Sequence, residues 1–490
     1  MDKKALPLVL VGAALAMVVA AGAAGASTNA VTATPRSLKW GPCPPEAATS
    51  PRLECTTLDV PLDYRDPDGR QIEIAVSRLA SEAPSKRRGV LLTNPGGPGS
   101  AGLDYPALLA GAGLPEDVLD SYDVIGFDPR GIGRSTPVTC DLTPQQRARG
   151  NFPPYAHTSA DVAREAPFAR AVAEQCATSR TAWMLPYTTT ANTARDMDRI
   201  RAALGEPKVS YLGASYGSYL GAVYTTLFPA RGDRIVLDSN MGPDGYGLEN
   251  FRLLGRGMED RFPDFAAYAA AHPEYGLGTT PKQVSAKFFE LAQRLDAEPV
   301  GGIDGSLFRG VTFERLYVEA LLPTLATEWQ ALDQGEPLPT SPPPIPENFL
   351  AGHLYVTCGD SRWPGEVRDY QRNAAIDRLR YPMLGGITGN IKPCAYWPDN
   401  RVEPPVRIGD HGPSNILMAQ NERDPGTPLV GALKLRRALG ARATMVTVDQ
   451  GGHGVYPFGR NMCANTVVTA FLADGQRPAE DLACTAEPNR

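Results

Sequence analysis

Six apolar runs, each ending in a glycine-rich or polar turn, leave this chain few possible folds. The runs are apolar without alternation, which is typical of strands that are buried on both faces of a parallel sheet. Helical patterns lie between several of them, so the chain alternates strand and helix. The runs with their turns read GVLLTNPGGPG, YDVIGFDPRGIG, KVSYLGASYG, RIVLDSNMG, NILMAQNERD and ATMVTVDQGGHG.

An antiparallel hairpin is predicted ahead of these runs. Apolar residues alternate with polar residues or proline over 58–64, a D-P-D-G turn follows at 66–69, and the alternation returns over 72–76. A hairpin that leads into strand–helix alternation predicts an α/β fold with a mostly parallel sheet. One predicted helix is NTARDMDRIRAALGE, with Asn192 as its N-cap and Gly205 as its C-terminal stop.

The alternation of strand and helix breaks between residues 245 and 410. This stretch holds amphipathic helices and the proline-rich piece GEPLPTSPPPIPENF, most simply a stiff loop. We therefore predict a helical cap inserted into the sheet domain. The predicted division is a signal peptide over 1–26, a first core part over 40–244, the cap over 245–410 and a second core part over 411–490.

The amino terminus has the features of a secretory signal peptide. A charged start, MDKK, precedes the apolar run ALPLVLVGAALAMVVAAGAAGA, which ends in a small-residue cleavage site. Cleavage is predicted after Ala26, with Ala30 as the second choice. An uncleaved membrane anchor is the alternative, because the run is nearly long enough to span a bilayer. We expect a secreted, extracellular protein with no stable membrane partner after cleavage.

Eight cysteines agree with export, since an even count in an exported chain indicates disulfides. No C-x-x-C motif occurs and no histidine clusters with a cysteine, so a zinc site is not expected. A net charge of -6 and the lack of any basic block argue against a nucleic-acid partner, and we expect a monomer. The cysteines fall in sequence-local pairs, which favours the disulfides Cys43–Cys55, Cys140–Cys176, Cys358–Cys394 and Cys463–Cys484.

The G-x-S-x-G motif GASYG makes Ser215 a candidate nucleophile. It lies between strand-like VSYL and helix-compatible SYLGAVYTTLF, the context that a nucleophile elbow requires. A serine hydroxyl also needs a base and a group that orients the base. His453, in the loop DQGGHG after the last predicted strand, is the candidate base. Asp424, just past the strand NILMAQ, is the candidate orienting acid, with Glu422 and Asp449 as rivals.

The loop TNPGGPGSAG, residues 93–102, is the candidate oxyanion hole. Its glycines allow backbone N–H groups to approach a ligand without a Cβ in the way. The backbone N–H groups of Gly97 and Tyr216 are the predicted donors, each worth roughly 3 kcal/mol in such sites; a plain tight turn is the alternative. The segment DPRGIGRS, residues 128–135, is interpreted as a structural turn. This chemistry requires neither a metal nor a cofactor.

These motifs, in this order, resemble those of the secreted tripeptidyl aminopeptidases of actinomycetes, α/β-hydrolases related to the proline iminopeptidases. The resemblance rests on NPGGPGSAG, DPRGIGRS, ARDMDRIRAALGEPKVSYLGASYGSYLG, RIVLDSN, ERDPGTP and GGHG, and it is weakest in the predicted cap. It implies an α/β-hydrolase fold with Ser215 as nucleophile, Asp424 as orienting acid and His453 as base. The implied activity is an exopeptidase that releases short peptides from free amino termini.

Two features depart from that family. Proline iminopeptidases hold the substrate amine with lid glutamates, and none can be aligned here; Glu249 and Glu259 lie in a plausible region but are not assigned. Asn240 stands where many relatives have a small or apolar residue. The alternative function is a carboxylesterase or amidase acting on a small ester or amide, because the same triad serves both. A hydrolase fold used only for binding is a third hypothesis, which the intact triad argues against.

Overall fold

A computed structural model describes residues 38–339 and 345–487. The predicted signal peptide over 1–26 lies outside the described residues. Among those that are described, no helix has the length and apolar character needed to span a bilayer. Ten strands form one sheet in the order β1-β2-β3-β5-β4-β6-β7-β8-β9-β10. The strands are β1 Gly41–Pro42, β2 Leu53–Pro61, β3 Gln71–Leu79, β4 Gly89–Asn94, β5 Tyr122–Phe127, β6 Val209–Ala214, β7 Gly232–Asp238, β8 Ile416–Arg423, β9 Ala443–Gly451 and β10 Leu482–Cys484.

Fifteen α-helices occur among the described residues. Two lie between β4 and β5 and three between β5 and β6; one links β6 to β7, seven lie between β7 and β8, and two follow β8 and β9. They are α1 Tyr105–Gly111, α2 Glu116–Ser121, α3 Pro144–Ala148, α4 Ser159–Thr178, α5 Thr190–Ala203, α6 Tyr216–Leu227, α7 Leu248–Ala271, α8 Pro281–Ala297, α9 Gly305–Arg315, α10 Leu322–Asp333, α11 Glu347–Asp360, α12 Val367–Arg380, α13 Gly385–Thr388, α14 Leu429–Leu439 and α15 Met462–Asp474.

The sheet has an antiparallel start and a parallel body, which confirms the prediction of a mostly parallel α/β sheet. β2 pairs with β3, and β3 with β5, in antiparallel register, whereas the pairs from β5–β4 through β8–β9 are all parallel. The six apolar runs of the sequence are the six strands β4 to β9. All six residues of β4 are buried, as expected for a strand covered on both faces.

Helices cover the two faces of the sheet, and alternate side chains of β4 divide between them. Val90 and Leu92 join the core formed with α5, α6 and α14, whereas Leu91 joins the core formed with α1, α2 and α15. Because successive side chains of a strand point to opposite faces, one apolar run supplies both cores. This two-sided burial holds the carboxyl ends of β6 to β9 at one edge.

The predicted N-cap of α5, Asn192, lies three residues after the observed one. Thr189 is the N-cap, and its side-chain oxygen accepts the Asn192 N–H at 3.2 Å. Thr and Asn both serve as N-caps, so the pattern TTTAN offered several candidates. Gly205 follows the C-cap Leu204 with a φ of +76°, which fits its predicted role as the helix stop.

A buried ion pair connects α5 with the hairpin and the segment 128–135. The Arg130 guanidinium donates to both carboxylate oxygens of Asp196, at 2.7 and 2.6 Å, and both side chains are completely buried. Arg130 also donates to the carbonyls of Pro61 and Leu62. DPRGIGRS is therefore a structural segment in this fold, as interpreted from the sequence.

Helices α7 to α13 lie between β7 and β8 and enclose an aromatic core of their own. Phe262 and Phe288 pack at 5.6 Å between ring centroids, and Phe262 lies 6.0 Å from Trp329. Helix α4, which lies between β5 and β6 in the chain, packs on α12 through a small apolar cluster that includes Val162 and Tyr370. The helical layer thus draws on two parts of the chain. The predicted boundaries of the cap remain a prediction.

The four disulfides join the pairs that the sequence pattern favoured: Cys43–Cys55, Cys140–Cys176, Cys358–Cys394 and Cys463–Cys484. Two of them lie at the two edges of the sheet. The first holds the two-residue strand β1 against β2, and the last holds the three-residue strand β10 to α15. Both outermost strands are therefore short and covalently anchored.

Candidate active site

Ser215 occupies the turn between β6 and α6 in a strained conformation. Its φ of 59° and ψ of -125° lie outside the regions that residues with a Cβ favour, at a cost of roughly 1–3 kcal/mol. Its N–H donates to the carbonyl of Asp238 at 3.0 Å, which fixes the turn against the end of β7. Such a turn is how a strand-to-helix elbow exposes a serine hydroxyl at the sheet edge.

Glycine is required where the elbow meets the loop 93–102. A Cβ on Gly96, whose φ is +97°, would lie 2.5 Å from the Ala214 carbonyl and 2.9 Å from the Ser215 Cβ. A Cβ on Gly217 would lie 2.7 Å from the Asn94 carbonyl. The two glycines therefore let the predicted oxyanion loop reach the backbone on both sides of Ser215.

The predicted oxyanion donors lie on these two touching segments. Tyr216 is the first residue of α6, so its N–H has no partner four residues earlier in the helix. Among the described residues, neither its N–H nor that of Gly97 hydrogen bonds to a backbone carbonyl outside the regular elements. Asp128 supports the loop from below, because its carboxylate accepts the N–H groups of Gly102 and Leu103 at 2.8 and 3.1 Å.

Two side chains from α11 act on this region, and sequence reasoning did not identify either. His353 is buried, and its Nδ1–H donates to the Pro98 carbonyl at 3.1 Å; burial lowers the pKa of His353 to about 3, so the ring is neutral. Asp360 accepts the Thr190 N–H at 3.0 Å and its hydroxyl, and Thr190 Oγ1 lies 2.5 Å from the Tyr216 hydroxyl. The helical insertion between β7 and β8 therefore contacts the loop 93–102 directly, and it reaches Tyr216 through Thr190.

His453 and Asp424 are in direct contact at the ends of β9 and β8. The His453 Nδ1–H donates to both carboxylate oxygens of Asp424, at 2.9 and 3.0 Å. Asp424 is completely buried, and it also accepts the N–H groups of Gly426 and Thr427, both at 2.8 Å, and the Thr427 hydroxyl at 3.0 Å. Because these donors fix the carboxylate, it presents a defined acceptor to the imidazole and leaves Nε2 as the basic nitrogen.

The pKa of His453 reflects opposing effects. Burial lowers it, but the negative charge of Asp424, its hydrogen bond and the charge of Asp238 raise it more, so the pKa lies above its ordinary value of 6.5. The imidazolium is thus stabilised beside two carboxylates. That is the form which a general base reaches after accepting a proton.

Tyr317, from the insertion, holds the other side of the His453 loop. Its carbonyl accepts the His453 N–H at 2.7 Å, and its ring lies 4.8 Å from the imidazole. Neither role uses a motif, because one is a backbone contact and the other a packing contact. Sequence reasoning therefore had no signal for it.

The rival acids lie in other arrangements. Asp449 is half-exposed and pairs with Arg423 at 2.6 Å, and Arg423 also binds Asp264 of α7 at 3.0 Å. Among the described residues Glu422 makes no side-chain hydrogen bond or ion pair, and Asp424 is the acid that bonds His453. These ion pairs join the insertion to the strand ends beside Asp424.

Asn240 and Glu259 bond to backbone groups of the fold, whereas Glu249 is exposed. Asn240 is buried, and its amide donates to the carbonyls of Leu237 and Ala419, so it links the ends of β7 and β8. Glu259 accepts the Met383 N–H at 3.0 Å, and burial raises its pKa. Glu249 is exposed and lies 3.8 Å from Lys434.

Comparison with known proteins shows which family this chain belongs to. The tripeptidyl aminopeptidase of Streptomyces lividans is 35% identical over 485 residues, which cover 94% of this chain and 89% of that protein. The chain belongs to the tripeptidyl aminopeptidase family. A family model described as TAP-like protein also matches residues 383–484, which include β8, β9 and both Asp424 and His453. The resemblance stated from the sequence motifs is thereby confirmed.

Other relatives of this tripeptidyl aminopeptidase family member have different names. The serine protease Hip1 of Mycobacterium tuberculosis is 27% identical over 484 residues, covering 91% of each chain. Carboxylesterase B of the same species is 30% identical over 490 residues, covering 94% of this chain and 92% of that protein. The protein is a serine hydrolase with an α/β-hydrolase fold, as predicted. Its relatives are named for peptide hydrolysis in two cases and for ester hydrolysis in one.

Proposed function

We propose that the protein is an exported aminopeptidase that releases short peptides, tripeptides in particular, from free amino termini. The proposed triad is Ser215, His453 and Asp424, with the Gly97 and Tyr216 N–H groups as oxyanion donors. The observation that carries the proposal is the bond from His453 Nδ1–H to both oxygens of Asp424, because it leaves Nε2 free to accept a proton. The 35% identity to a tripeptidyl aminopeptidase supports the substrate class.

The reaction follows from these positions. Ser215 Oγ attacks the scissile carbonyl carbon as His453 Nε2 removes its proton, and the oxyanion is held by the two backbone N–H groups. The protonated imidazole then gives its proton to the leaving amine, and an acyl-enzyme remains on Ser215. His453 next removes a proton from water, the hydroxide attacks the acyl carbon, and the peptide acid leaves as Ser215 recovers its proton.

Export is part of the proposal. Four disulfides among the described residues favour an oxidising compartment. The charged start, apolar run and small-residue site of residues 1–26 have the order of a cleavable signal. We propose secretion with cleavage after Ala26, and that the mature enzyme acts as a monomer on a peptide, or on a small ester or amide.

The test uses the purified mature protein and two tripeptide anilides that differ only in whether the amino terminus is free or blocked, with a short-chain nitrophenyl ester in parallel. Cleavage of the free-amine anilide alone would support the aminopeptidase. Equal cleavage of both anilides would indicate an endopeptidase or an unselective amidase. Ester turnover with both anilides untouched would instead favour the carboxylesterase, the activity named for the relative at 30% identity.

Two variants control this experiment. Ser215→Ala should abolish turnover of every substrate that the wild type cleaves, because no other group replaces the nucleophile. Ser285→Ala, whose hydroxyl bonds the Pro281 carbonyl one turn earlier in α8, should retain wild-type rates. A Ser215→Ala protein with full activity would refute the proposed mechanism whichever substrate is preferred.

A further inference from the structure

Asp238, the last residue of β7, connects the two segments that carry Ser215 and His453. Its main-chain carbonyl accepts the Ser215 N–H at 3.0 Å. Its carboxylate accepts the N–H of Val455 at 3.0 Å and that of Tyr456 at 2.8 Å, which are the second and third residues after His453. The side chain is completely buried. One residue thus holds the nucleophile turn by its backbone and the histidine loop by its side chain.

Ser239 extends this contact to a third amide of the same loop. Its hydroxyl oxygen accepts the Gly454 N–H at 2.8 Å and lies 3.3 Å from the Asp238 carboxylate. Three successive amides after His453 are therefore bound by two adjacent residues at the end of β7. Hydrogen bonds to an ionised carboxylate are shorter and roughly twice as strong as neutral ones, so the charge on Asp238 strengthens the attachment of this loop.

We propose that Asp238 is a positioning residue for catalysis, whose ionised carboxylate fixes the loop carrying His453 relative to the turn carrying Ser215. The inference rests on the proposed triad. It assigns no contact with the substrate to Asp238, because that carboxylate is buried against backbone N–H groups. The carboxylate therefore acts on the reaction through the position and the pKa of His453.

Charge makes this role dependent on pH. The titratable groups that influence or are influenced by Asp238 are His453, Asp424 and Tyr105 of α1. Burial raises the pKa of Asp238 to about 6, against the opposing effect of the Tyr456 and Val455 N–H groups and of His453. Asp238 therefore becomes protonated as the pH falls through about 6, and protonation weakens its hydrogen bonds to the Val455 and Tyr456 N–H groups. Ionised Asp238 also raises the pKa of His453, so removing its charge should lower that pKa.

The first measurement is the acid limb of kcat in the wild-type protein, on the free-amine tripeptide anilide or on whichever substrate it cleaves. If both His453 and Asp238 must be deprotonated, kcat should fall more steeply than one decade per pH unit. Asp238→Asn should then show a one-proton limb with its midpoint at lower pH. At the optimum, kcat should fall about 10- to 100-fold with KM nearly unchanged, the size expected when a reacting group is displaced by up to about 1 Å.

The matched control is Asp233→Asn, at the opposite end of β7, where the carboxylate pairs with Arg88 at 2.8 Å. It should keep the wild-type kcat and acid limb. Rates are expressed per active site after titration with a fluorophosphonate, so a variant that only folds less well loses sites and keeps its pH profile. Such a result, or an Asp238→Asn protein with wild-type kcat and limb, would overturn the inference.

Two further outcomes separate this inference from the proposed function. If Asp238→Asn does not fold, the wild-type limb still decides, because a one-proton limb excludes a required second ionisation. If Ser215→Ala keeps full activity, the triad itself is wrong, whatever Asp238→Asn shows. An inactive Ser215→Ala protein beside an unchanged Asp238→Asn protein would remove the positioning role and leave the triad intact.

Discussion

Replacing Asp424 by asparagine should move the ring proton of neutral His453 from Nδ1 to Nε2. In the structure Asp424 Oδ1 accepts two backbone N–H groups, those of Gly426 and Thr427, both at 2.8 Å. An asparagine must therefore turn its carbonyl oxygen to that side, because its NH2 group cannot accept from either. The NH2 group then takes the position of Oδ2, which is 3.0 Å from His453 Nδ1, beside the carbonyl oxygen in the position of Oδ1 at 2.9 Å.

That geometry determines the size of the effect. An Nδ1–H would then meet the amide N–H groups, whereas a ring protonated on Nε2 accepts from them; the substitution therefore favours the tautomer whose proton lies on Nε2, the nitrogen that should receive the Ser215 proton. Substitutions of this kind in serine hydrolases lower kcat about 10⁴-fold, which corresponds to about 5 kcal/mol of transition-state stabilisation. KM should change little, because Asp424 is buried behind the imidazole.

The assay is the initial rate on the free-amine tripeptide anilide, per titrated active site. Asp449→Asn is the control, since Asp449 pairs with Arg423, whereas the imidazole of His453 bonds Asp424; its kcat should stay within about twofold of wild type. An Asp424→Asn protein that keeps more than about one hundredth of the wild-type kcat would refute the tautomer argument. An equal loss in Asp449→Asn would mean that the orienting acid is misassigned.

Three further predictions follow from single features of the structure. The pKa of His453 is raised, so its neutral, basic form predominates only above its ordinary range; the acid limb of kcat/KM for the free enzyme should have its midpoint above pH 6.5. Gly96→Ala should lower the free energy of unfolding in urea by roughly 2 kcal/mol or more, because its Cβ would meet the Ala214 carbonyl at 2.5 Å. Arg130→Ala should cost about 3–5 kcal/mol in the same assay, since it leaves Asp196 buried without its partner, and a loss below about 1 kcal/mol would contradict this account.

The sheet and the ends of its strands could be predicted from the sequence because their signals are local. The uninterrupted apolar runs correspond to β4 to β9, and the polar or glycine-rich turns after them contain Ser215, Asp424 and His453. Parallel strands bring their carboxyl ends to one edge, so residues that follow successive runs meet there. Asp424 directly follows β8, and the 28 residues from 425 to 452 hold α14 and β9, as expected for a return to that edge.

The supporting contacts could not be predicted in the same way. Tyr317 acts through its carbonyl, which every residue has, and Asp238 binds two backbone amides more than 200 positions away in the chain. His353 reaches the Pro98 carbonyl from α11, whose packing depends on how the insertion folds back. The N-cap of α5 was misplaced for a smaller reason, because several neighbouring side chains could cap the helix, and Thr189 is the one that accepts the Asn192 N–H.

The two short outer strands affect how this protein behaves when its disulfides are reduced. An open sheet edge offers unpaired N–H and C=O groups to the strands of other molecules, and long exposed edges are sites of aggregation. Here β1 pairs with two residues of the nine-residue strand β2, and β10 pairs with three residues of the nine-residue strand β9. Each short strand is anchored by its own disulfide, Cys43–Cys55 or Cys463–Cys484. Loss of both bonds would free the two short strands while the central strands stay buried. We therefore expect the oxidised protein to stay monomeric in the compartment where disulfides form, and the reduced protein to aggregate through its sheet edges.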